Sequence, residues 1–473
     1  MLPKYTAYEI WPKIVPANKP TAMAIVPTGR VHFFFEDTEY ELTVIPVNGD
    51  ELNYYTTPTT HKKITVTARS GVIKFDYTFE GEQEYLLILK KDDKKVCELN
   101  LYSLNEDLYA LRPLKGDLHS HSHRSDGQSD PAALAGHYRE QGYDFQALTD
   151  HNRYYPGGEI DEVYNGVNLG YARVTGEEVH TPGSLIHIVH VGGKHSVAEQ
   201  YIHQREKYDA EVAEYETKVP SIVPEQYKRR YAMANWACDK IHEAEGLAIF
   251  AHPYWAPGGS RVYNVNDEFS AILLKSGIFD LFELVGGMGQ VGINRAIALW
   301  ADLRAEGVKI PVCGSSDVHG LESEEYYPNL FTVVFAKAND NQSIIEALKN
   351  GLSVGVEAIG NEKARQYRSY GSLRLVSYAN FLLKYYFTQR QRICQGEGIA
   401  MRAFAIGEAD ASFIEKQFEF TKNFEARYFG EKPPVLPTKD MLDFEIRWRD
   451  THIKVGPNTK GSSVAPFPVT RQI

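Results

Sequence analysis

Short stretches of alternating hydrophobic and polar residues dominate the first 112 residues of the chain. They are rich in Val, Ile, Tyr, Phe and Thr and are separated by segments that contain Gly, Asn, Asp and Glu. An alternation of period two is typical of strands with one face in a core and one in water. Residues 1–112 are therefore predicted to form a β-sandwich without catalytic residues. The predicted strands are RVHFFF (30–35), YELTVIPV (40–47), KITVTAR (63–69), VIKFDYTF (72–79) and EYLLILKK (84–91).

The hydrophobic pattern changes near Pro113, where continuous apolar segments begin to alternate with segments of helical period. A helix is expected after Asp130, because aspartate is a favoured N-cap and Pro131 suits the first helical position. The alternation of strands and helices predicts an α/β fold, either a barrel or a doubly wound sheet. The other expected elements are strand FQALTD (145–150), a helix at about 225–244, strands LAIFA (247–251) and FELV (282–285), a helix at about 293–306, strand IPVCGSSD (310–317) and a helix from Asn341 to near Gly351.

From about residue 361 the pattern becomes helical, first in RQYRSYGSLRLVSYANFLLKYYFTQRQRI and again at about 409–427. The end of the chain is rich in Pro and Gly, which predicts loops. We therefore expect a β-sandwich over 1–112, an α/β domain over 113–360, and a helical extension with a loop-rich tail over 361–473.

The composition is that of an ordinary globular protein with an acidic surface. Hydrophobic residues make up 43% of the 473 residues, and 51 Lys and Arg against 62 Asp and Glu give a net charge of −11. This charge disfavours binding to nucleic acid, except to a nucleotide or a short oligonucleotide, and to anionic membranes. Four scattered cysteines without a CxxC motif, and no apolar segment of signal-peptide or membrane-span length, predict a cytoplasmic protein.

Histidine is concentrated in one part of the chain, since nine of the 16 lie between His119 and His195. They occur with carboxylates at the ends of predicted strands, where α/β folds build their sites. Two histidines two residues apart on an extended segment face the same way and can bind one divalent ion. Burying so many ionisable groups is costly unless they bind metal or are hydrogen-bonded, so we predict a site for several metal ions. The six clusters are GDLHSHSHRSDG (116–127), LTDHN (148–152), GEEVH (176–180), LIHIVHVGG (185–193), AHP (251–253) and GSSDVHG (314–320).

The set HxH…D…TDH…GxE…H…AHP…SDxH resembles the PHP superfamily, the polymerase-and-histidinol-phosphatase metallohydrolases. The resemblance covers about 113–360, roughly half of the chain. It implies a distorted (β/α)7 barrel with two or three divalent ions, commonly manganese, zinc or iron, at the mouth formed by the C-terminal strand ends. The metal ligands that it implies are His119, His121, Asp126, His151, Glu178, His187, His252, Asp317 and His319.

Two of these ligands, Glu178 and His187, each have a second candidate close by in the sequence. The family's glutamate stands second after a glycine, which selects Glu178 over Glu177. His187 and His190 are three residues apart and lie on opposite faces of a regular strand, so only one should face the metals. The sequence HIV around His187 fits the family better. Glu177, His180 and His190 are expected to support the ligands or to lie at the surface.

The reaction expected from this site is hydrolysis of a phosphate monoester or diester by a hydroxide that bridges the metals. Glu178, Asp317 and Asp150 are the expected catalytic residues. Asp117 and Asp150 adjoin ligands and are expected either to orient imidazoles or to cap a backbone turn. The expected substrate-binding residues are Arg124, Lys194 and Arg261, and His123 and His195 are expected on the substrate side or in solvent.

Two other functions stay open from the sequence. The same metal site could hydrolyse a carbamate or a carboxyl ester, since some PHP relatives with an added N-terminal β-domain resemble such enzymes. A non-catalytic metal-binding or ligand-binding protein is disfavoured, because no expected ligand position is substituted. A polymerase-associated nuclease is disfavoured by the acidic chain and the lack of a following polymerase segment. The expected partner is a small-molecule phosphate ester without a membrane, and the oligomeric state stays open.

Overall fold

The computed structural model describes residues 7–30, 32–49, 61–256, 260–321, 326–359 and 366–452. The first part of the chain forms one eight-stranded sheet. Its strands are β1 (Tyr8–Trp11), β2 (Ile14–Pro16), β3 (Pro20–Pro27), β4 (Glu39–Pro46), β5 (Lys62–Arg69), β6 (Val72–Thr78), β7 (Gln83–Lys91) and β8 (Lys94–Leu104). The order in the sheet is β1-β3-β6-β5-β4-β7-β8-β2. Four of the five predicted strands are present, whereas the described part of RVHFFF (residues 30 and 32–35) is not a strand.

Strand β5 joins the two halves of this sheet. Residues 62–67 of β5 pair with β4, and Ala68 and Arg69 pair with β6. The hydrophobic core beneath the sheet takes side chains from both halves, with Ile25 on β3 and Leu87 on β7 fully buried in the same cluster. The alternating pattern of the sequence therefore corresponds to a sheet that encloses its own core.

Two mixed sheets follow in the second part of the chain. Their strands are β9 (Arg112–Asp117), β10 (Phe145–Ala147), β11 (Ala172–Val174), β12 (Gly176–Val179), β13 (Ile188–Val191), β14 (Leu247–Phe250), β15 (Leu281–Val285), β16 (Val312–Gly314), β17 (Leu330–Ala336), β18 (Ser353–Ile359) and β19 (Gln366–Tyr370). One sheet has the order β11-β10-β9-β17-β18-β19 and the other β12-β13-β14-β15-β16. The α/β class is as predicted, but β13 runs antiparallel to both of its neighbours.

The two sheets are joined where the histidine motifs lie. Thr175 alone separates β11 of one sheet from β12 of the other. Isolated parallel bridges pair Ser120 with Val318 and His151 with Glu178. These contacts hold the ends of β9, β10, β12 and β16 close together, which brings residues distant in sequence to one place.

The helices cover the sheets and form the C-terminal extension. They are α1 (Glu106–Tyr109), α2 (Pro131–Glu140), α3 (Gly158–Val163), α4 (Ala198–His203), α5 (Arg205–Thr217), α6 (Lys228–Glu243), α7 (Asp267–Ser276), α8 (Gly289–Ala305), α9 (Asn341–Lys349), α10 (Leu373–Tyr385), α11 (Phe387–Ala405), α12 (Ala411–Tyr428) and α13 (Lys439–His452). As predicted, Asp130 caps α2, because its Oδ1 accepts hydrogen bonds at 3.0 Å from the backbone N–H groups of Ala132 and Ala133.

Two predictions for the C-terminal part are corrected by the structure. The segment 366–370 is strand β19, which pairs antiparallel with β18, and the helix begins only at Leu373, after the N-cap Ser372. The tail predicted as loops contains α13, while residues 453–473 lie outside the described residues. None of the helices in the described ranges has the length and hydrophobicity of a bilayer-spanning segment.

A buried ionic network ties the C-terminal helices to the sheets. Arg139 on α2 donates from Nε and Nη2 to Glu397 on α11, at 2.9 and 2.7 Å. Arg390 on α11 donates to Asp144, and to Glu425 on α12 at 2.5 Å. Arg139, Asp144, Arg390 and Glu397 are all buried. Because each buried charge has a partner of opposite sign, removing one would leave an uncompensated charge in the core.

Aromatic packing joins the three parts of the chain. The ring of Tyr378 on α10 lies 5.1 Å from the ring of Tyr102 on β8 and 5.3 Å from that of Phe335 on β17. All three belong to one hydrophobic cluster, which also contains residues of α11 and α12. The three parts of the chain thus contact one another through this cluster, while the N-terminal sheet also has a core of its own.

Candidate metal centre

The side chain of Glu178 lies at the centre of the histidine motifs. It is fully buried on β12, and both carboxylate oxygens are surrounded by imidazole nitrogens from five different segments of the chain. Oε2 lies 2.7 Å from His151 Nδ1, 3.4 Å from His119 Nε2 and 3.5 Å from His121 Nε2, and Oε1 lies 2.9 Å from His187 Nδ1, 3.2 Å from His180 Nε2 and 3.3 Å from His252 Nε2.

Asp317 supplies a second carboxylate beside Glu178. Its Oδ1 lies 3.0 Å from His121 Nε2 and 3.3 Å from His119 Nε2. The backbone φ of Asp317 is +52°, in the left-handed region that costs a non-glycine residue about 1–2 kcal/mol. Strain of this kind occurs at functional sites, where the surrounding structure fixes the residue.

A third carboxylate lies on the outer side of the cluster. Asp126 Oδ2 is 3.2 Å from His151 Nε2, and Asp126 Oδ1 is 3.3 Å from His319 Nε2. The side chain of Asp126 is 54% exposed, whereas those of His119, His121 and Glu178 are fully buried. The cluster therefore runs from a closed interior to an edge that solvent and substrate reach.

The donor atoms fit divalent metal ions. Among the described residues, buried nitrogens of the histidines and both oxygens of Glu178 find no hydrogen-bond partner of regular geometry. Unpaired polar atoms are costly in a protein interior, and imidazoles with carboxylates are ligands for zinc, manganese and iron. Five overlapping groups have ligand atoms within 4.8 Å of one another: His121–Asp126–His151–His319, His119–His121–Asp317, His119–His252–Glu283, His151–Glu178–His180 and Glu178–His187–His252.

The charges in the cluster shift each other's protonation. Burial raises the pKa of Glu178, but the neighbouring imidazoles, His119 first, lower it more, so the pKa lies well below its ordinary value. Burial lowers the pKa of His119, but Asp317 and Glu178 raise it well above its ordinary value. Burial lowers the pKa of His187 to about 4, which leaves a neutral imidazole with a lone pair for a ligand bond.

The structure places the two members of each ambiguous pair, His187 and His190 or Glu177 and Glu178, on different sides of their strands. His187 faces Glu178, whereas His190 Nδ1 lies 3.2 Å from Glu177 Oε1, on the other side of β12. Glu177 is fully buried and accepts hydrogen bonds from Ser196 Oγ at 2.7 Å and from the N–H of Val197 at 2.5 Å. Glu177 therefore holds the segment that leads into α4.

Two residues near the cluster were not assigned as ligands or partners from the sequence. His180, expected to support ligands or lie at the surface, contacts Glu178 and the ring of His187. Glu283 on β15 is fully buried, and its Oε2 lies 2.9 Å from His119 Nδ1, which leaves His119 Nε2 for the cluster. The sequence signal for Glu283 was a carboxylate inside the apolar strand FELV, which is costly to bury without a partner.

Asp117 and Asp150 accept hydrogen bonds from backbone and hydroxyl groups, and in the described part of the chain neither is bonded to an imidazole ring. Asp117 accepts hydrogen bonds from the N–H groups of His119 and Ser316 and, at 2.7 Å, from the hydroxyl of Tyr138. Asp150 accepts three hydrogen bonds from the His121–Asp126 loop: 2.9 and 2.8 Å from the N–H and hydroxyl of Ser122, and 2.6 Å from the hydroxyl of Ser125. These hydrogen bonds occupy both carboxylate oxygens of Asp150, and its expected catalytic role stays a prediction that they do not support.

The three expected substrate-binding cations lie in different places. Arg124 donates from Nε and Nη2 to Glu159, at 2.6 and 2.9 Å. Lys194 pairs with Glu245, and its N–H donates to the carbonyl of Ala244, which precedes β14. Because His252 follows β14, Lys194 lies at the opposite end of that strand, a position that does not support its expected contact with substrate. Arg261 is exposed in the loop that follows His252.

The expected substrate-side histidines also lie at the edge of the site or beyond it. His123 is exposed and its Nδ1 lies 3.3 Å from the carbonyl of Ser129. His195 is exposed in the segment after β13, one residue beyond Lys194. Neither side chain belongs to the groups of close ligand atoms in the described part of the chain.

Comparison with known proteins gives a partial sequence match and distant structural likenesses. No family model matches the chain. It is 35% identical over 94 residues to DNA polymerase/3'-5' exonuclease PolX of Bacillus subtilis (strain 168), a match that covers 19% of this chain and only 16% of PolX. A two-domain protein of Bacteroides vulgatus, described as containing a PHP-like metal-dependent phosphoesterase, is 18% identical with a TM-score of 0.35 over 55% of this chain and 76% of that one.

A metal-dependent phosphoesterase of Bifidobacterium adolescentis is likewise 18% identical, with a TM-score of 0.31 over 43% of this chain and 87% of that one. The ligand motifs stand in the expected order, and the structure brings them together around Glu178. The ordered motifs and the partial sequence match to PolX agree with the resemblance of this chain to the PHP superfamily.

Proposed function

We propose that the chain hydrolyses a phosphate ester, a monoester or a diester, with the help of two or three divalent ions. The observation that carries the proposal is the buried carboxylate of Glu178, both oxygens of which lie within 3.5 Å of imidazole nitrogens. A lone salt bridge would not need six histidines, whereas a centre with several cations needs both many neutral donors and a shared anion.

The proposed ligands are the nine residues implied by the family, together with His180. When bound, manganese, zinc or iron ions would neutralise charge on a phosphoryl oxygen and lower the pKa of the attacking water. The proposed ligand set is His119, His121, Asp126, His151, Glu178, His180, His187, His252, Asp317 and His319.

The chain's own residues hold this set in place. Glu283 accepts the Nδ1 proton of His119 and so fixes which nitrogen faces Glu178. Asp117 joins the backbone after β9 to that after β16, and thereby places His119 and Asp317 side by side. Exposed Asp126 and the partly exposed His319 leave one side open for the ester, while the buried side excludes water.

We also propose that residues 113–360 form a distorted (β/α)7 barrel between a β-sandwich over 1–112 and a helical extension over 361–473. The bridges at Ser120–Val318 and His151–Glu178, which join the two mixed sheets, support a closed arrangement. The core shared by both halves of the N-terminal sheet supports the sandwich.

The test is a hydrolysis screen of the full-length protein with its metals measured. Elemental analysis of the undialysed protein should give at least two divalent metals per chain. A phosphomonoester, a phosphodiester, a carbamate and a carboxyl ester are then compared before and after treatment with a chelator and reloading. Phosphate ester hydrolysis that is lost on chelation and restored by metal is the expected result. Hydrolysis of only the carboxyl ester or carbamate, or of nothing by metal-loaded protein, would refute the proposal.

A further inference from the structure

The described residues form a cleft of about 470 Å³, one wall of which begins at the residue after His151. This volume is within the range of roughly 300–1,000 Å³ found for small-molecule sites. The walls come from the loop after β10, from the loop that carries Arg124, and from α4. The lining residues are Arg124, Asn152, Arg153, Tyr154, Tyr155, Pro156, Glu159, Glu199, Ile202 and His203.

Asn152 connects the cleft to the proposed ligands. Asn152 lines it and is the residue after His151. The N–H of Asn152 donates to the carbonyl of Glu178 at 2.8 Å, and its Oδ1 accepts a hydrogen bond from the N–H of His180 at 2.9 Å. These hydrogen bonds tie one wall of the cleft to β12 of the proposed centre, which makes the cleft the candidate place for the organic group of the ester.

Two large apolar side chains in the lining of the cleft are exposed. Tyr155 is 61% exposed and Ile202 is 51% exposed, although both are large hydrophobic side chains beside a cavity. The Tyr155 hydroxyl lies 3.5 Å from Oε2 of Glu199, which also lines the cleft. A flat apolar ligand that covered both side chains would remove this area from water, and an aromatic ring adds a favourable stacking geometry.

The charges of the cleft select against a second strong anion. Arg124 and Glu159 neutralise each other through two hydrogen bonds. Arg153 is exposed and forms no ion pair within the described ranges, but the carboxylate of Glu199 lines the same cleft and offsets its charge. A ring with neutral hydrogen-bond acceptors can use the guanidinium of Arg153 without being repelled by Glu199.

We infer that this cleft binds the organic group of the ester, and that this group is a planar aromatic ring without a second strong negative charge. The inference rests on the proposed phosphoesterase function, which it deepens by naming the substrate class as aryl phosphate esters.

The experiment measures binding and hydrolysis separately in the full-length, manganese-loaded protein. Calorimetry compares phenylphosphonate with methylphosphonate, which share the anionic group and differ in the ring. The wild type should bind phenylphosphonate at least about 10-fold more tightly, and Tyr155→Ala and Ile202→Ser should each reduce that ratio to about 3-fold or less, as expected for lost apolar contacts. Lys194→Gln, at the opposite end of β14, should keep the wild-type ratio.

Three results would overturn the inference. The first is equal binding of the two phosphonates by the wild type. The second is a preference for phenylphosphonate that survives both cleft substitutions but is lost in Trp255→Leu. Trp255 does not line the cleft, and its ring lies 5.6 Å from that of His187, so this result would place the phenyl ring elsewhere. The third is a 3-fold ratio in Lys194→Gln as well.

A parallel measurement of phenyl phosphate hydrolysis distinguishes failure of this inference from failure of the proposed function. A ring preference in binding that depends on Tyr155, without hydrolysis of any phosphate ester, would support the cleft and refute the phosphoesterase. Hydrolysis without a ring preference would refute the cleft alone. Circular dichroism of each variant establishes that it is folded before its ratio is compared.

Discussion

Replacing Glu178 by Gln should remove metal from the protein while leaving the fold intact. The substitution keeps the size of the side chain but replaces one anionic oxygen with an amide nitrogen, in a cluster where both oxygens lie within 3.5 Å of imidazole nitrogens. One unit charge at an effective separation of ~4 Å and an effective dielectric of ~20 is worth about 4 kcal/mol. At about 1.4 kcal/mol for each factor of ten, metal affinity should fall about a thousandfold.

The neighbouring Glu177→Gln is the matched control, because it makes the same chemical change one residue away. Glu177 accepts hydrogen bonds from Ser196 and Val197 and contacts His190, and has no contact with the metal cluster in the described structure. An amide can keep one of these acceptor positions but loses the charge, which costs about 1–2 kcal/mol of stability. Its midpoint of thermal unfolding should fall by about 2–4 °C per kcal/mol, with the metal content unchanged.

The assay combines elemental analysis, competition with a chelator of known affinity, and hydrolysis of a phosphate ester. Glu178→Gln should lose metal and activity together, and Glu177→Gln should retain both at a temperature below its unfolding midpoint. Equal loss of metal from the two variants, both folded by circular dichroism, would show that β12 presents the opposite face to the centre. Full metal content in Glu178→Gln would refute the central role of its carboxylate.

Two further predictions concern residues that support the centre. Glu283→Ala should weaken metal binding about 10–100-fold in chelator competition, because His119 loses the partner of its Nδ1. Glu283→Gln retains an acceptor and should keep much of the affinity. Equal effects of the two substitutions would contradict this orienting role. Arg390→Met should lower the free energy of unfolding by about 3–5 kcal/mol in urea titration because Asp144 and Glu425 lose their shared cation, and a change under about 1 kcal/mol would contradict the buried network.

The sequence carried enough information to predict which segments converge, because the histidine motifs follow apolar strands. Strand ends in α/β folds meet at one edge, so the positions of His119, His151, His252 and Asp317 in the chain implied their proximity. The helix from Asp130 was equally predictable, since its cap and first-turn proline are local signals. These features depend on a few neighbouring residues and on the strand period.

The remaining features depend on pairings that no local pattern specifies. Residues 366–370 read as the start of a helix, but they pair with β18, and this tertiary contact overrides helix propensity. Lys194 follows a histidine strand in sequence, yet that strand runs antiparallel to β14 and carries it away from the site. Glu283 became meaningful only when the fold placed it 2.9 Å from His119.

The contacts of Tyr378 with two other aromatic rings limit how regions of this protein can be exchanged. Tyr102, Phe335 and Tyr378 come from the three sequence regions, all three are buried, and Tyr378 contacts both of the others. Exchanging any one region for that of a relative changes one wall of a packed interior, so its partners must change with it. Exchange of one region near residue 112 or 360 is therefore expected to require matching changes at these aromatic positions.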